Sequence, residues 1–197
     1  FNRNSYDGEG AKIKASVEVQ QYHLIPLLGL KENAAWMEQF DQFIFGAGGA
    51  QLGGFAQALD VVAHEFTHAV VSYSSKLEYV GQSGALNEHL ADVFGEFAQH
   101  AYDPESEPFL IGETTLRGDF ANQARALRDM LNPEDGLSKQ PGHMDEIPAA
   151  FGPDCTASTT NDNCGVHILS GIPNKAVAHI IQRIGWTKAH GLFYTVM

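Results

Sequence analysis

His64 and His68 stand four residues apart in His-Glu-Phe-Thr-His, with Glu65 between them, inside the run Asp60-Val-Val-Ala-His-Glu-Phe-Thr-His-Ala-Val-Val-Ser-Tyr73. On a helix, residues four apart lie one turn above each other and about 40° around the axis, so both imidazoles can reach one cation. Glu65 projects about a quarter turn away and stands beside that cation, where its carboxylate can take a proton from a water. In a chain with nine histidines the pattern would arise by chance roughly a few per cent of the time, so alone it is only suggestive. The stretch Ser83-Gly-Ala-Leu-Asn-Glu-His-Leu-Ala-Asp-Val-Phe-Gly95 adds the missing group, placing Asn87, Glu88 and Asp92 on neighbouring helical turns. Zinc in a hydrolytic site takes three protein ligands and leaves one position open, and two His plus one Glu is one such set. His64, His68 and Glu88 supply it. Asp92 can accept the outer N–H of one ligating histidine and Asn87 that of the other, which fixes the tautomers.

The elements that must hold these groups can be read around them. The run from Asp60 has no Gly or Pro, opens on a carboxylate suited to a helix N-terminus and is apolar on all sides, so it predicts a buried helix over 60–76. Before it, Ala11–Val19 alternates apolar and polar residues after an Asp7-Gly8 turn, as a half-buried strand does. After it, Ala124–Met130 reads as a short helix, Asn132–Pro153 as mostly loop and Asn174–Ile184 as an amphipathic helix. Trp186–Met197 reads as a further helix cut short.

These residues and their flanks resemble the thermolysin-like zinc metallopeptidases, the neutral protease family of the gluzincin type. Glu88, in Gly-Ala-Leu-Asn-Glu, follows His68 at the family's spacing, and Asp162-Asn-Cys-Gly-Val-His-Ile-Leu-Ser-Gly-Ile-Pro-Asn-Lys175 is similar to the segment that carries the family's catalytic histidine, here His167. The resemblance implies an α+β fold in three parts. Residues 1–59 would form a partial β-rich subdomain, 60–76 the zinc-binding helix, and 77–197 a mainly helical, truncated subdomain. It implies a zinc endopeptidase in which Glu65 is the general base and His167 and Tyr79 stabilise the oxyanion, with Asp162 orienting His167. Asn33 and Ala34, in a peptide-binding edge strand Asn33-Ala-Ala-Trp36, and Arg128 would hold the substrate backbone. Val61, Ile111 and Leu127 would line an apolar pocket for the residue after the cleaved bond.

Ligand counting goes against the family's paired calcium site, which is expected to be absent or badly weakened. Asp60 and Glu113 match two of its acidic positions, but Gln99, Pro108 and Leu110 stand where further carboxylates are needed, and calcium takes roughly six to eight oxygens. Asp103, Glu105 and Glu107 could rebuild a single weaker site.

At 197 residues and 44% hydrophobic composition the chain can bury a substantial core. A net charge of −12 argues against nucleic acid or an anionic membrane as partner. No run approaches the roughly 18 apolar residues of a membrane span. The abrupt opening on Phe-Asn-Arg-Asn-Ser-Tyr reads as a processed or truncated product, with a peptide or protein as substrate and a propeptide or removed segments as further candidate partners. Cys155 and Cys164 flank a short polar loop before His167. They suit a disulfide in a secreted protein, two free thiols being the alternative. Tyr22–Leu30 reads as an insertion with a packing role. His23, His89, His100, His143, His179 and His190 have no partners at ligand spacing and read as surface or packing residues. The rival to an active enzyme is an impaired or inactive peptide-binding fragment of one.

Overall fold

The computed structural model describes residues 3–20 and 30–195, so Tyr22–Gly29 of the expected insertion lie outside the described residues. It has a small β-sheet region followed by a mainly helical remainder, an α+β arrangement. Strands β1 (Ala15–Val19), β2 (Ala34–Met37) and β3 (Gln42–Gly46) form one sheet in the order β1-β3-β2. β3 pairs parallel with β1 and antiparallel with β2, through Ala34↔Phe45 to Met37↔Gln42, which leaves β2 at an edge. The strand expected over Ala11–Val19 begins only at Ala15. Upstream, the Asp7 carboxylate gathers the N–H groups of Glu9, Gly10 and Ala11 into a turn, and the Gly10 N–H also reaches back to Asn4 O, so this stretch folds on itself instead of extending along β3.

The run without Gly or Pro forms α1 (Leu59–Tyr73), three residues shorter at its C-terminal end than the sequence suggested. There Ser74 Oγ turns back to Val70 O and Lys76 adopts a left-handed conformation, so the chain leaves the axis. The second run forms α2 (Gly81–Tyr102), well beyond the expected Ser83–Gly95. α1 gives Val61, Ala69 and Val70 to a core shared with Tyr6, Phe43, Phe45 and Phe55 of the sheet side. α2 gives Val93 and Phe97 to a second core. That core is completed by α5 (Gly171–Ile184) and α6 (Trp186–Tyr194) through Val177, Ile181 and Ala189. Burying each of the larger side chains contributes about 1.5–3 kcal/mol, enough that two cores fix both sides of the helix pair. The helices cross closely because Gly95 has no side chain: a Cβ there would lie 2.7 Å from Asp60 O.

The helix expected over Ala124–Met130 does not form. Helix α3 (Gly118–Gln123) ends before it, and Arg128–Asp129 is a short strand, β5, antiparallel to β4 (Leu110–Ile111). The local sequence suits a helix, but its backbone donors are taken elsewhere: Leu127 N–H goes to Ile111 O and Met130 N–H to Phe109 O. Burial of Ala126 and Met130, at 1% and 0% exposure, outweighs helix propensity. Asp162–Leu169, named α4, opens with a left-handed turn and continues through Ser170 towards α5. A disulfide joins Cys155 to Cys164, as expected. Among the described residues no helix is long and apolar enough to cross a membrane.

Candidate metal centre and cleft

Four-residue spacing on α1 brings His64 Nε2 and His68 Nε2 within 2.9 Å of each other. From α2, Glu88 places its two oxygens 3.5 Å from His64 Nε2 and 3.2 Å from His68 Nε2. Each opposite ring nitrogen faces a side-chain oxygen. His64 Nδ1 lies 2.8 Å from Asp92 Oδ1, and His68 Nδ1 lies 2.8 Å from Asn87 Oδ1. A carboxylate accepts only, so His64 carries its proton on Nδ1. Asn87 donates its amide to Leu77 O, which leaves Oδ1 to accept from His68. Both Nε2 lone pairs therefore converge beside a carboxylate whose Oε2 has no hydrogen-bond partner although Glu88 is fully buried.

Such a knot of acceptors is costly unless a cation satisfies it. Among the described residues, His64, His68 and Glu88 are the one trio of His, Cys, Asp or Glu whose ligand atoms all lie within 4.8 Å. Two imidazole nitrogens and a carboxylate fit a hydrolytic zinc. The centre also draws protons: burial works to lower the pKa of His68, but the Glu88 charge overrides it and the group is pushed up to about 9. Burial would raise Glu88 itself, but the facing His167, His68 and His64 hold it well below the usual carboxylate range.

Glu65 stands on the same helix with its Oε2 accepting the Trp36 N–H of β2 at 2.8 Å. Across the centre, His167 Nε2 lies 3.3 Å from Glu88 Oε1. Asp162 takes both the His167 N–H, at 2.8 Å, and its Nδ1, at 2.5 Å. The Tyr79 hydroxyl donates to Glu88 and lies 3.1 Å from His167 Nε2. Arg128 gives Nε and Nη2 to the two oxygens of Asp92, which hold that carboxylate well below its usual range although burial acts to raise it. Its side chain still reaches the cleft wall.

Asp92 apart, that cleft, of about 770 Å³, is lined by every residue named for catalysis, zinc or substrate, including Asn33, Ala34, Val61, Ile111 and Leu127. Asp92 lies behind the centre.

Three supports escaped the sequence reading. Asn174, fully buried on α5, donates to Asp92 Oδ2 at 2.8 Å and accepts from buried His89 at 2.8 Å, so His89 joins the network behind His64 rather than only packing. Gln140 binds the carbonyl of His167 at 2.6 Å. Glu96 lies near the two acidic positions Asp60 and Glu113, with Oε1 on the Phe109 N–H and Oε2 unpartnered. No ligand spacing marks Asn174 or Gln140, which meet the site through a loop and a helix distant in sequence, whereas Glu96 stands one turn beyond Asp92 on α2 and its spacing was there to be read.

The chain matches thermolysin metallopeptidase, catalytic domain, over residues 1–72 and thermolysin metallopeptidase, alpha-helical domain, over residues 75–197. It is 37% identical to an extracellular elastase of Staphylococcus epidermidis over 198 residues, covering 100% of this chain and 34% of the relative. A bacillolysin of Bacillus amyloliquefaciens is also 37% identical over 198 residues, with 100% and 33% covered. Among solved structures, the precursor of protealysin, a metalloproteinase from Serratia proteamaculans, matches with TM-score 0.78 and 31% identity over 99% of this chain and 58% of that one. The chain thus spans between a third and somewhat over half of the length of these relatives.

Proposed function

The chain belongs to the thermolysin metallopeptidase family, and we propose that it is a secreted zinc-dependent endopeptidase that hydrolyses internal peptide bonds. The observation that carries this reading is the convergence of two bare imidazole nitrogens and a buried, unpartnered carboxylate oxygen beside Glu65 in one open cleft. His64, His68 and Glu88 would hold the zinc, with Asp92 and Asn87 fixing the two histidines. When bound, the ion supplies Lewis acidity, polarising a carbonyl oxygen and acidifying a water.

The remaining steps belong to the chain's own groups. Glu65 takes the proton of the attacking water and passes it to the leaving amine. The Trp36 N–H on its Oε2 leaves the other oxygen to face the cleft. Tyr79 Oη and His167 Nε2, 3.1 Å apart, can both donate to one oxyanion, provided His167 carries a proton on each nitrogen. Burial works against that charge, but Glu88 and Asp162 raise the His167 pKa above its ordinary value.

Substrate backbone would lie along β2. Trp36 N–H points away from β3 towards Glu65, and strand alternation turns the Ala34 backbone the same way; its N–H is taken by Asn33 Oδ1 at 2.9 Å, so the Ala34 carbonyl is the group offered to an extended peptide. Val61, Ile111 and Leu127 would receive a bulky apolar residue after the cleaved bond. Calcium is expected to bind weakly or not at all, and a propeptide or further segments of a longer protein are the expected partners besides substrate.

Zinc content measured together with hydrolysis of an internally quenched peptide, with and without chelator, tests the reading. It predicts about one zinc per chain, cleavage inside the peptide, and loss of cleavage on chelation. A zinc-loaded protein that binds the peptide without cutting it would favour the inactive peptide-binding alternative.

A further inference from the structure

Four successive residues before the catalytic-site histidine adopt left-handed backbone: Asp162 (φ 55°), Asn163 (φ 47°), Cys164 (φ 67°) and Gly165 (φ 77°). Gly165 takes this conformation freely, and no other residue fits there, since a Cβ would lie 2.6 Å from the Phe151 ring. Asp and Asn tolerate it better than most residues because their short polar side chains bond locally. Cys164 has no such reason. Its side chain is instead tied to Cys155 and nearly fully buried, at 3% exposure.

The turn has a chemical consequence. It reverses the chain so that the Asp162 carboxylate meets both the backbone N–H and the Nδ1 of His167. Cys164 lies midway between the two. Its N–H donates to Asn161 Oδ1 at 3.1 Å, and Asn161 in turn donates to Thr156 O at 2.9 Å, so the cross-link and this bond both anchor position 164 to the 155–156 segment.

We infer that the Cys155–Cys164 disulfide is a positioning device for His167: it holds residue 164 in the left-handed conformation and thereby sets the Asp162–His167 pair against Glu88 and Tyr79. The inference rests on the proposed peptidase reading. It goes beyond that reading by assigning to the disulfide a task in the reaction rather than only in holding the fold together.

Two double variants separate these tasks, both without the cross-link. Cys155→Ser with Cys164→Ser leaves at 164 an L-residue held only through the Asn161 bond, whereas Cys155→Ser with Cys164→Gly leaves a residue that enters the left-handed region without cost. With zinc loaded in each, the serine pair is expected to lose about tenfold or more in kcat with KM and zinc content little changed, as misplacement of a transition-state donor does. The glycine pair should recover to within about twofold of the parent kcat, although it is equally uncross-linked. Exchange of the His167 amide hydrogen should follow the same order, fast in the serine pair and protected in the glycine pair.

Equal kcat in parent and serine pair, or equal losses in both pairs, would overturn the inference. If the serine pair does not fold, the glycine pair still decides: a low kcat with an unprotected His167 amide contradicts it. The amide measurement needs no turnover, so a failure of the peptidase reading itself would show separately, as a zinc-loaded parent that does not cleave peptide but keeps the His167 amide protected.

Discussion

Arg128 lies fork to fork on Asp92, its Nε 2.8 Å from one carboxylate oxygen and its Nη2 2.5 Å from the other. Asp92 is the residue that fixes the His64 ring, so an arginine expected from the family resemblance to hold substrate also stands behind the metal centre. With Asn174 added, the carboxylate receives four donors and is fully occupied.

Replacing Arg128 by Lys is therefore expected to raise KM and also to weaken zinc binding by about tenfold or more, because an ammonium cannot reproduce the planar pair of bonds. Competition with a chromophoric chelator measures this. Unchanged zinc affinity would mean that Asp92 holds His64 without help from Arg128.

The apolar side chains of the cleft wall, Val61, Ile111 and Leu127, predict selectivity. A peptide library should show bulky aliphatic or aromatic residues favoured immediately after the cleaved bond, as a graded preference rather than a rule, since one methylene discriminates by only about 1–3 kcal/mol. Leu127→Ala should widen the preference toward larger rings. A profile dominated by charged residues would contradict the assignment of Val61, Ile111 and Leu127.

Glu96 gives a pH dependence with a definite sign. Burial, with Asp60, Glu113 and Asp92 nearby, pushes its carboxyl from the ordinary 4.5 up to about 8, against the opposing hydrogen bond from Phe109 N–H. A carboxyl raised on folding contributes stability that is fully present below its unfolded pKa and is lost as pH rises through the folded value. The loss here falls between about pH 4.5 and 8 and amounts to a few kcal/mol. In calcium-free buffer Glu96→Gln, which keeps an acceptor for Phe109, should raise Tm at pH 8 and leave it nearly unchanged at pH 4. A tight calcium ion among Asp60, Glu96 and Glu113 would reverse the outcome: calcium would raise the parent Tm strongly and the variant would lose that gain.

Much of this was legible in the chain because helical spacing is local. His64, Glu65 and His68 on one helix and Asn87, Glu88 and Asp92 on the next needed only a 3.6-residue period to be placed on shared faces. The edge strand at Ala34 followed from the family resemblance of Asn33-Ala-Ala-Trp36, not from any local period. Arg128 lay on a strand, not the expected helix, because its flanking backbone pairs with residues 109–111, and nothing local announces such pairing. His89 and Asn174 stand 85 residues apart, and their bond depends on how α2 meets α5. Gln140 likewise reaches His167 only through the folded loop.

The central claim is that Glu65 moves the proton while His64, His68 and Glu88 hold the metal. Glu65→Gln keeps the side chain's shape and an oxygen for the Trp36 N–H, and removes only the base. The decisive measurement is peptide hydrolysis by this variant with its zinc content determined on the same sample. The account predicts about one zinc per chain and turnover lower by roughly 10²–10⁴-fold. Near-normal turnover with zinc in place would contradict it.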